Sequence, residues 1–310
     1  MQSLEATPFL DLKCGLAESP FWEEHNNVLR FVDIVKKAVY RVNLDVGEAS
    51  LQKQQYESAV CVTANLSLSP NKFLFGGKYG VGVAEIGTNK ATLVQSFWSD
   101  EEKRSGKHER MRANDGAVDS RGRFWVNTIP DPETATSTNA DGALFRLDTD
   151  GQIHRVLTGL TSPNGMSWSI DKKTMYLADT AEKTIFAYDF DEETGNIQNK
   201  KTFFTTDGDG GPDGHAQDEH GNLWVALWGQ WKVVRISPQG QVTWEIRVPT
   251  RCPSAVAFAG EDMYITSEAE HEPEKFPQST KYHGGVFKCH VGVQGPFETS
   301  TCIVRDHLTA

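Results

Sequence analysis

Short apolar runs, each four to seven residues long, recur along the chain and are separated by compact polar turns. The clearest case is Gly211 to Gly229, GPDGHAQDEHGNLWVALWG. Its Leu223 to Trp228 segment is a β-branched and aromatic run with Gly on either side, which predicts a strand. Glu219 to Asn222 predicts the turn before it, and Pro212-Asp213-Gly214 places a carboxylate at a tight polar bend. Polar position, short strand, turn and strand form one unit, and the chain repeats it six times.

The other copies begin at Glu18 (ESPFW, then VLRFVDI and AVYRVNL), Ala64 (ANLSL, then FLFGG and GVAEI) and Asn114 (NDGAV, then RFWVNT and GALFRLD). They continue at Asn164 (NGMSW, then TMYLADT and TIFAYDF) and Ser254 (SAVAF, then MYITSE and GGVFKCH). Successive copies start 41 to 50 residues apart. Four short strands with their turns occupy that length in a propeller blade. The pattern predicts an all-β, six-bladed β-propeller with a central channel, in a single domain over residues 1–310. A sandwich would not produce six copies of one plan. Asp100 to Arg112 has no apolar stripe and reads as a solvated loop. Thr7 to Leu12 and Thr301 to Arg305 are the candidate partners that close the ring within one shared blade.

In a propeller the first strand of each blade lines the channel, so the six starting positions form a ring at one mouth. Five of them, Glu18, Asn114, Asn164, Asp213 and Ser254, are polar. Oxygen ligands with two carboxylates suit a hard divalent cation. Two carboxylates converging in a low-dielectric channel repel unless a cation, a proton or a basic group intervenes, and periodicity leaves those three open.

Composition narrows the classes. A net charge of −11 and a pI near 5.3 argue against nucleic acid, which needs clustered Lys and Arg. No apolar run reaches the roughly 20 residues of a membrane helix. The first residues, MQSLEATPFLDLK, lack the basic and apolar regions of a secretory signal, which predicts a cytoplasmic protein. The five cysteines are scattered without a CxxC pair, so neither a disulfide framework nor a cysteine metal site is expected. No G-x-S-x-G nucleophile elbow is present.

Four segments carry a resemblance: AESPFW around Glu18, MRANDGAVDSRGRFW around Asn114, LTSPNGMSWS around Asn164 and GGPDGHAQDEHGNLWVALW around Asp213. In this order and spacing the chain resembles the SMP-30/gluconolactonase family, which also includes regucalcin and luciferin-regenerating enzymes. The resemblance implies one divalent metal ion (calcium, zinc, manganese or magnesium) held by Glu18, Asn164 and Asp213. It implies Arg112 and Asn114 as substrate contacts. A family glutamate in the next loop falls on Glu133 with a one-residue shift. The implied reaction is hydrolysis of a small-molecule sugar lactone: the ion polarises the carbonyl and a water attacks, with Asp213 the candidate base. The alternatives are a non-enzymatic calcium-binding propeller and a related propeller esterase or phosphotriesterase.

The remaining features receive structural readings. His215 reads as a packing histidine, Asp115 as a loop cap, and the tryptophans, including Trp125, Trp168, Trp224 and Trp228, as inter-blade core. Trp228 or Trp231 is a candidate wall of the substrate mouth. The polar segment 130–142 (PDPETATSTNADG) is a candidate lid beside the site.

Overall fold

Each β-branched and aromatic run forms a strand, and each polar interval reverses the chain. The computed structural model describes residues 2–67, 69–135, 140–296 and 301–303. Their strands form six sheets, each one blade of a six-bladed β-propeller. The inner strands are Ala17–Glu23, Val60–Leu66, Met111–Val118, Pro163–Trp168, Gly211–Gln217 and Pro253–Ala259. Each touches the next, and the last touches the first, so the ring is closed.

Two kinds of aspartate staple recur. Asp119 and Asp218 sit in the turns after inner strands. They accept the indole N–H of Trp125 at 2.8 Å and of Trp224 at 3.0 Å, six residues on in each case. Arg123 and Arg235 donate to the same carboxylates at 2.6 and 3.0 Å. Both tryptophans are fully buried between blades, where an indole N–H without an acceptor would be costly. At the opposite face, Asp33 accepts the amides of Gly15 and Leu16, and Asp179 those of Thr161 and Ser162. These contacts fix the chain just before Glu18 and Asn164.

The chain ends depart from expectation. Thr7–Leu10 forms the outer strand of blade six, antiparallel to Val286–His290 with Thr7 opposite Lys288. Thr301–Cys302 instead pairs in parallel with the inner strand of blade two, Thr301 opposite Asn65. The two segments therefore do not share a blade. Residues 253–290 supply only three strands of blade six, so its outer edge is what the N-terminal segment completes. Gln2–Glu5 adds a further strand to blade five, parallel to Val242–Arg247. The continuation at 304–305 lies outside the described residues.

The stretch Asp100 to Arg112 is also not a plain loop. It holds two short helices, Asp100–Arg104 and Lys107–Arg110, neither with a buried residue. Ser99 and Glu102 form a reciprocal capping box: the Glu102 amide donates to Ser99 Oγ at 3.2 Å, and the Ser99 amide to Glu102 Oε2 at 3.0 Å. The absence of an apolar stripe was a sound reason to expect exposure, but caps and i,i+3 charges are enough for one turn. All five cysteines are free and buried.

Candidate active site at the ring of bulges

The register of every inner strand breaks at the same level. The breaks fall between Glu18 and Phe21, Val60 and Val62, Ala113 and Gly116, Pro163 and Met166, Pro212 and His215, and Pro253 and Val256. A bulge re-aims side chains and ends regular pairing locally. Glu18, Asn114, Asn164, Asp213 and Ser254 all lie at or within these breaks. In blade two the break brackets Cys61 rather than Ala64, so the spacing misplaced that member of the ring by three residues. Ala64 lies further down, on the channel wall.

The bulges require close approach of backbones. A Cβ on Gly165 would lie 2.7 Å from the Asp213 carbonyl oxygen, and one on Gly214 would lie 2.4 Å from Ala255 Cβ. Only glycine admits such contact there. Blade one has Ser19 in the corresponding place, with φ of 48° in the left-handed region. Its amide donates to Glu18 Oε2 at 2.8 Å, which orients that carboxylate.

Asn164 and Asp213 are buried, and each leaves one side-chain oxygen, Asn164 Oδ1 and Asp213 Oδ1, with no hydrogen-bond partner. Asn164 Nδ2 donates to Thr180 Oγ1 at 3.1 Å, and Thr180 Oγ1 donates to the Pro212 carbonyl at 2.9 Å. Behind them, the fully buried Asn127 donates to the Asn164 carbonyl at 2.7 Å and accepts from the Asp115 amide at 3.1 Å. Thr180 and Asn127 were not found from the sequence, because one lies just past a second strand and the other within one, where nothing in the neighbouring residues marks either.

Electrostatics set the ring apart from an ordinary core. Burial, then the Asp115 charge, pushes the Glu18 carboxyl well above the usual carboxylate range. Burial, then Glu18, Asp115 and Glu268, does the same to Asp213. Asp115, expected only to cap a loop, is raised by burial to about 6. Such raised carboxyls share a site that wants positive charge. Among the described residues no three His, Cys, Asp or Glu side chains are disposed to grip an ion by themselves. The candidate set is two carboxylates and the Asn164 carboxamide. Two buried oxygens without donors are the observation that fits it to a hard cation, which takes oxygen ligands only.

Arg112 is buried and donates through one terminal nitrogen to the Ala113 carbonyl and to Asn114 Oδ1, both at 2.8 Å. Asn114 Nδ2 in turn donates to the Pro163 carbonyl at 3.0 Å. The pair is thus preassembled beside the ring, with further donors on the guanidinium. Glu133 is exposed, and its amide donates to Asp131 Oδ1 at 3.1 Å. Asp131 is the buried acid of that loop, paired with Lys78 at 2.7 Å. Burial works against its ionisation, but the Lys78 hydrogen bond holds its carboxyl low. Residues 136–139 of the candidate lid lie outside the described residues. Ser254 is engaged elsewhere, donating to the Ala17 carbonyl at 2.6 Å.

Below the ring the channel widens into a cavity of about 540 Å³. Its lining begins with residues that follow the ring, such as Ser19, Asp115, Gly214 and His215, and ends at the turns holding His25, Ser120 and Lys172. Arg112, Asn114 and Asp131 do not line it, so the polar ring faces that group on the other side. His215 Nε2 lies 2.9 Å from Ser167 Oγ, and burial lowers the imidazole to about 4, so it is neutral, in keeping with a packing role.

Comparison with known proteins agrees with this architecture. The family model described as the SMP-30/Gluconolactonase/LRE-like region matches residues 16–269. Regucalcin of Bos taurus is 31% identical over 310 residues, covering 95% of this chain and 97% of that protein. Pentonolactonase of Haloferax volcanii is 31% identical over 268 residues, 85% of each. The crystal structure of the calcium-binding protein regucalcin from Agrobacterium tumefaciens superposes with a TM-score of 0.86 at 20% identity, over 98% of this chain and 100% of that one.

Proposed function

The chain belongs to the SMP-30/gluconolactonase/LRE-like family, and on that footing we propose that it is a divalent-metal-dependent hydrolase that opens a sugar lactone to the aldonic acid. The observation that carries this reading is the pair of donor-free buried oxygens, Asn164 Oδ1 and Asp213 Oδ1, at one level with Glu18. We assign Glu18, Asn164 and Asp213 as the residues that hold the cation. When bound, the ion supplies Lewis acidity toward the lactone carbonyl and the attacking water.

The rest is the work of the chain's own groups. Arg112 orients the substrate through guanidinium N–H groups not turned to Asn114, and Asn114 offers its remaining donor to a ring oxygen or hydroxyl. Asp213 takes the proton of the attacking water on a carboxylate oxygen. That proton then passes to the ring oxygen as the ester C–O bond breaks. We give Glu133 no part in these steps, because it is exposed. A simple calcium store needs neither Arg112 nor Asn114, which is why the enzyme reading is preferred to the non-enzymatic one. The free cysteines fit a reducing, cytoplasmic setting.

The test is a metal-stripped sample crossed with calcium, zinc, manganese and magnesium and with a panel of aldonolactones, following acid release. At least one ion should restore hydrolysis. Asp213→Ala, Glu18→Gln and Asn164→Ala should abolish it while the far-UV circular dichroism is unchanged. Full activity in Asp213→Ala would sink the mechanism. Tight calcium binding with no acid release from any lactone would establish the calcium-binding alternative.

A further inference from the structure

Glu268 is a carboxylate that no motif placed near the ring. It opens the segment 268–285, which joins the second strand of blade six (Asp262–Ser267) to the third (Val286–His290). Three features fix its position. Leu16 and Glu268 form an isolated antiparallel bridge, which ties this segment to the chain two residues before Glu18. The Trp228 indole N–H donates to Glu268 Oε2 at 2.6 Å. His271 Nε2 lies 2.8 Å from Glu268 Oε1. Beyond it, Arg251 grips Glu270 through two nitrogens at 2.9 and 2.6 Å and lies 4.3 Å from the Phe276 ring centroid, which anchors the segment. The Glu268 side chain keeps 16% of its surface exposed, so it stands between the buried ring and solvent.

Each carboxylate oxygen has two lone-pair sites and here receives one partner, so each can accept another hydrogen bond. The charge of Glu268 bears on both Glu18 and Asp213. Among the described residues on this face, Lys78 is paired with Asp131 and Arg251 with Glu270. Arg112 is the cation whose charge bears on Glu18, against the carboxylates of Asp115 and Glu268. With Glu18 and Asp213 balanced by a divalent cation, Glu268 still offers the mouth a hydrogen-bond acceptor for hydroxyl groups and a negative charge set against phosphate or carboxylate.

We propose that Glu268, held by Trp228 and His271, is a specificity-determining residue that accepts a hydroxyl of a neutral sugar lactone and turns away anionic lactones. This rests on the lactonase reading. The hydroxyl contact is charge-assisted, hence stronger than one to a neutral acceptor. The same charge opposes rebinding of the product, since hydrolysis converts a neutral lactone into an anionic aldonate.

The experiment measures kcat/KM for glucono-1,5-lactone and for the same lactone phosphorylated at C6, at saturating metal, in wild type, Glu268→Gln and Trp228→Phe. It adds calorimetric binding of gluconate to the metal-stripped proteins. Wild type should prefer the neutral lactone, and added salt should narrow that preference. Glu268→Gln should raise the phosphorylated-to-neutral ratio about tenfold or more and tighten gluconate binding. Trp228→Phe keeps the charge but frees the carboxylate, so it should raise KM for the neutral lactone with the ratio little changed. An active wild type whose preference ignores salt, or a folded Glu268→Gln with the wild-type ratio, overturns this inference alone. A wild type inactive on every lactone with every metal overturns the lactonase reading and this inference together.

Discussion

Thr180 decides which end of the Asn164 carboxamide faces the ring. Its hydroxyl accepts from Asn164 Nδ2 at 3.1 Å and donates to the Pro212 carbonyl at 2.9 Å, so Asn164 Oδ1 is the end left without a donor. One hydroxyl thus links a candidate ligand in blade four to the residue before another in blade five. Thr180→Val retains the shape and removes both bonds. It should weaken calcium binding about 10- to 100-fold, as loss of a supporting contact behind a ligand does, with under about 2 kcal/mol lost in stability. Calcium titration by calorimetry and urea unfolding check the two parts. Wild-type affinity in Thr180→Val would remove Thr180 from the site.

Asp213→Asn should stabilise the metal-free protein. Burial and neighbouring carboxylates raise the folded-state pKa of Asp213, so the folded state binds more protons than the unfolded chain. Stability is then greatest below the ordinary carboxylate pKa and declines as pH rises through the folded value. The variant removes that decline. With chelator present at pH 7.5 it should gain about 1–3 kcal/mol while losing activity. A variant less stable than wild type under those conditions would contradict the account.

Binding of a divalent cation should release protons near neutral pH. Glu18 and Asp213 are held well above the usual carboxylate range and Asp115 at about 6, and a cation favours their ionised forms. Calcium affinity should therefore rise from pH 5.5 to 7.5. Calorimetry in two buffers of different ionisation enthalpy counts the protons. Pure buffer-independent heats across this range would exclude the effect.

The Arg251–Glu270 pair should control acid unfolding of blade six. The Arg251 hydrogen bond lowers the Glu270 carboxyl to about 2. A lowered carboxyl stabilises the fold above its unfolded pKa, and that contribution disappears as pH falls toward 2. Glu270→Gln, which leaves Arg251 only the more exposed Glu272 carboxylate at 3.6 Å, should cost about 3 kcal/mol at pH 7. The gap from wild type should close below about pH 4. Thermal unfolding across pH 2 to 7 distinguishes this from a constant penalty.

The repeat was readable because its signals are local. Turn residues and a buried tryptophan recur at fixed offsets, as in Asp119 with Trp125 and Asp218 with Trp224. The ring was readable in five blades because Glu18, Asn114, Asn164, Asp213 and Ser254 are polar residues at the breaks in inner strands. Blade two was missed because Cys61 looks like any buried apolar residue, and only the strand register singles it out. Glu268 and Thr180 were invisible for a different reason. Both lie where second strands end, and what makes them matter is a neighbour in another blade. Ring closure failed similarly: TPFL and TCIVR are both plausible edge strands, and sequence does not say which open edge each one meets.

The way the ring closes also imposes an order on synthesis. Gln2 pairs with Trp244, and Thr7 with Lys288. The first ten residues leave the ribosome long before their partners exist, and they wait as an unpaired edge while the intervening blades are made. Contacts this distant in sequence form late and slowly. Until the inner strand of blade six, Pro253–Ala259, has emerged, the carboxylates of blades one and five have no closed wall to hold them together. The candidate site depends on the closure of the whole ring, not on any single blade.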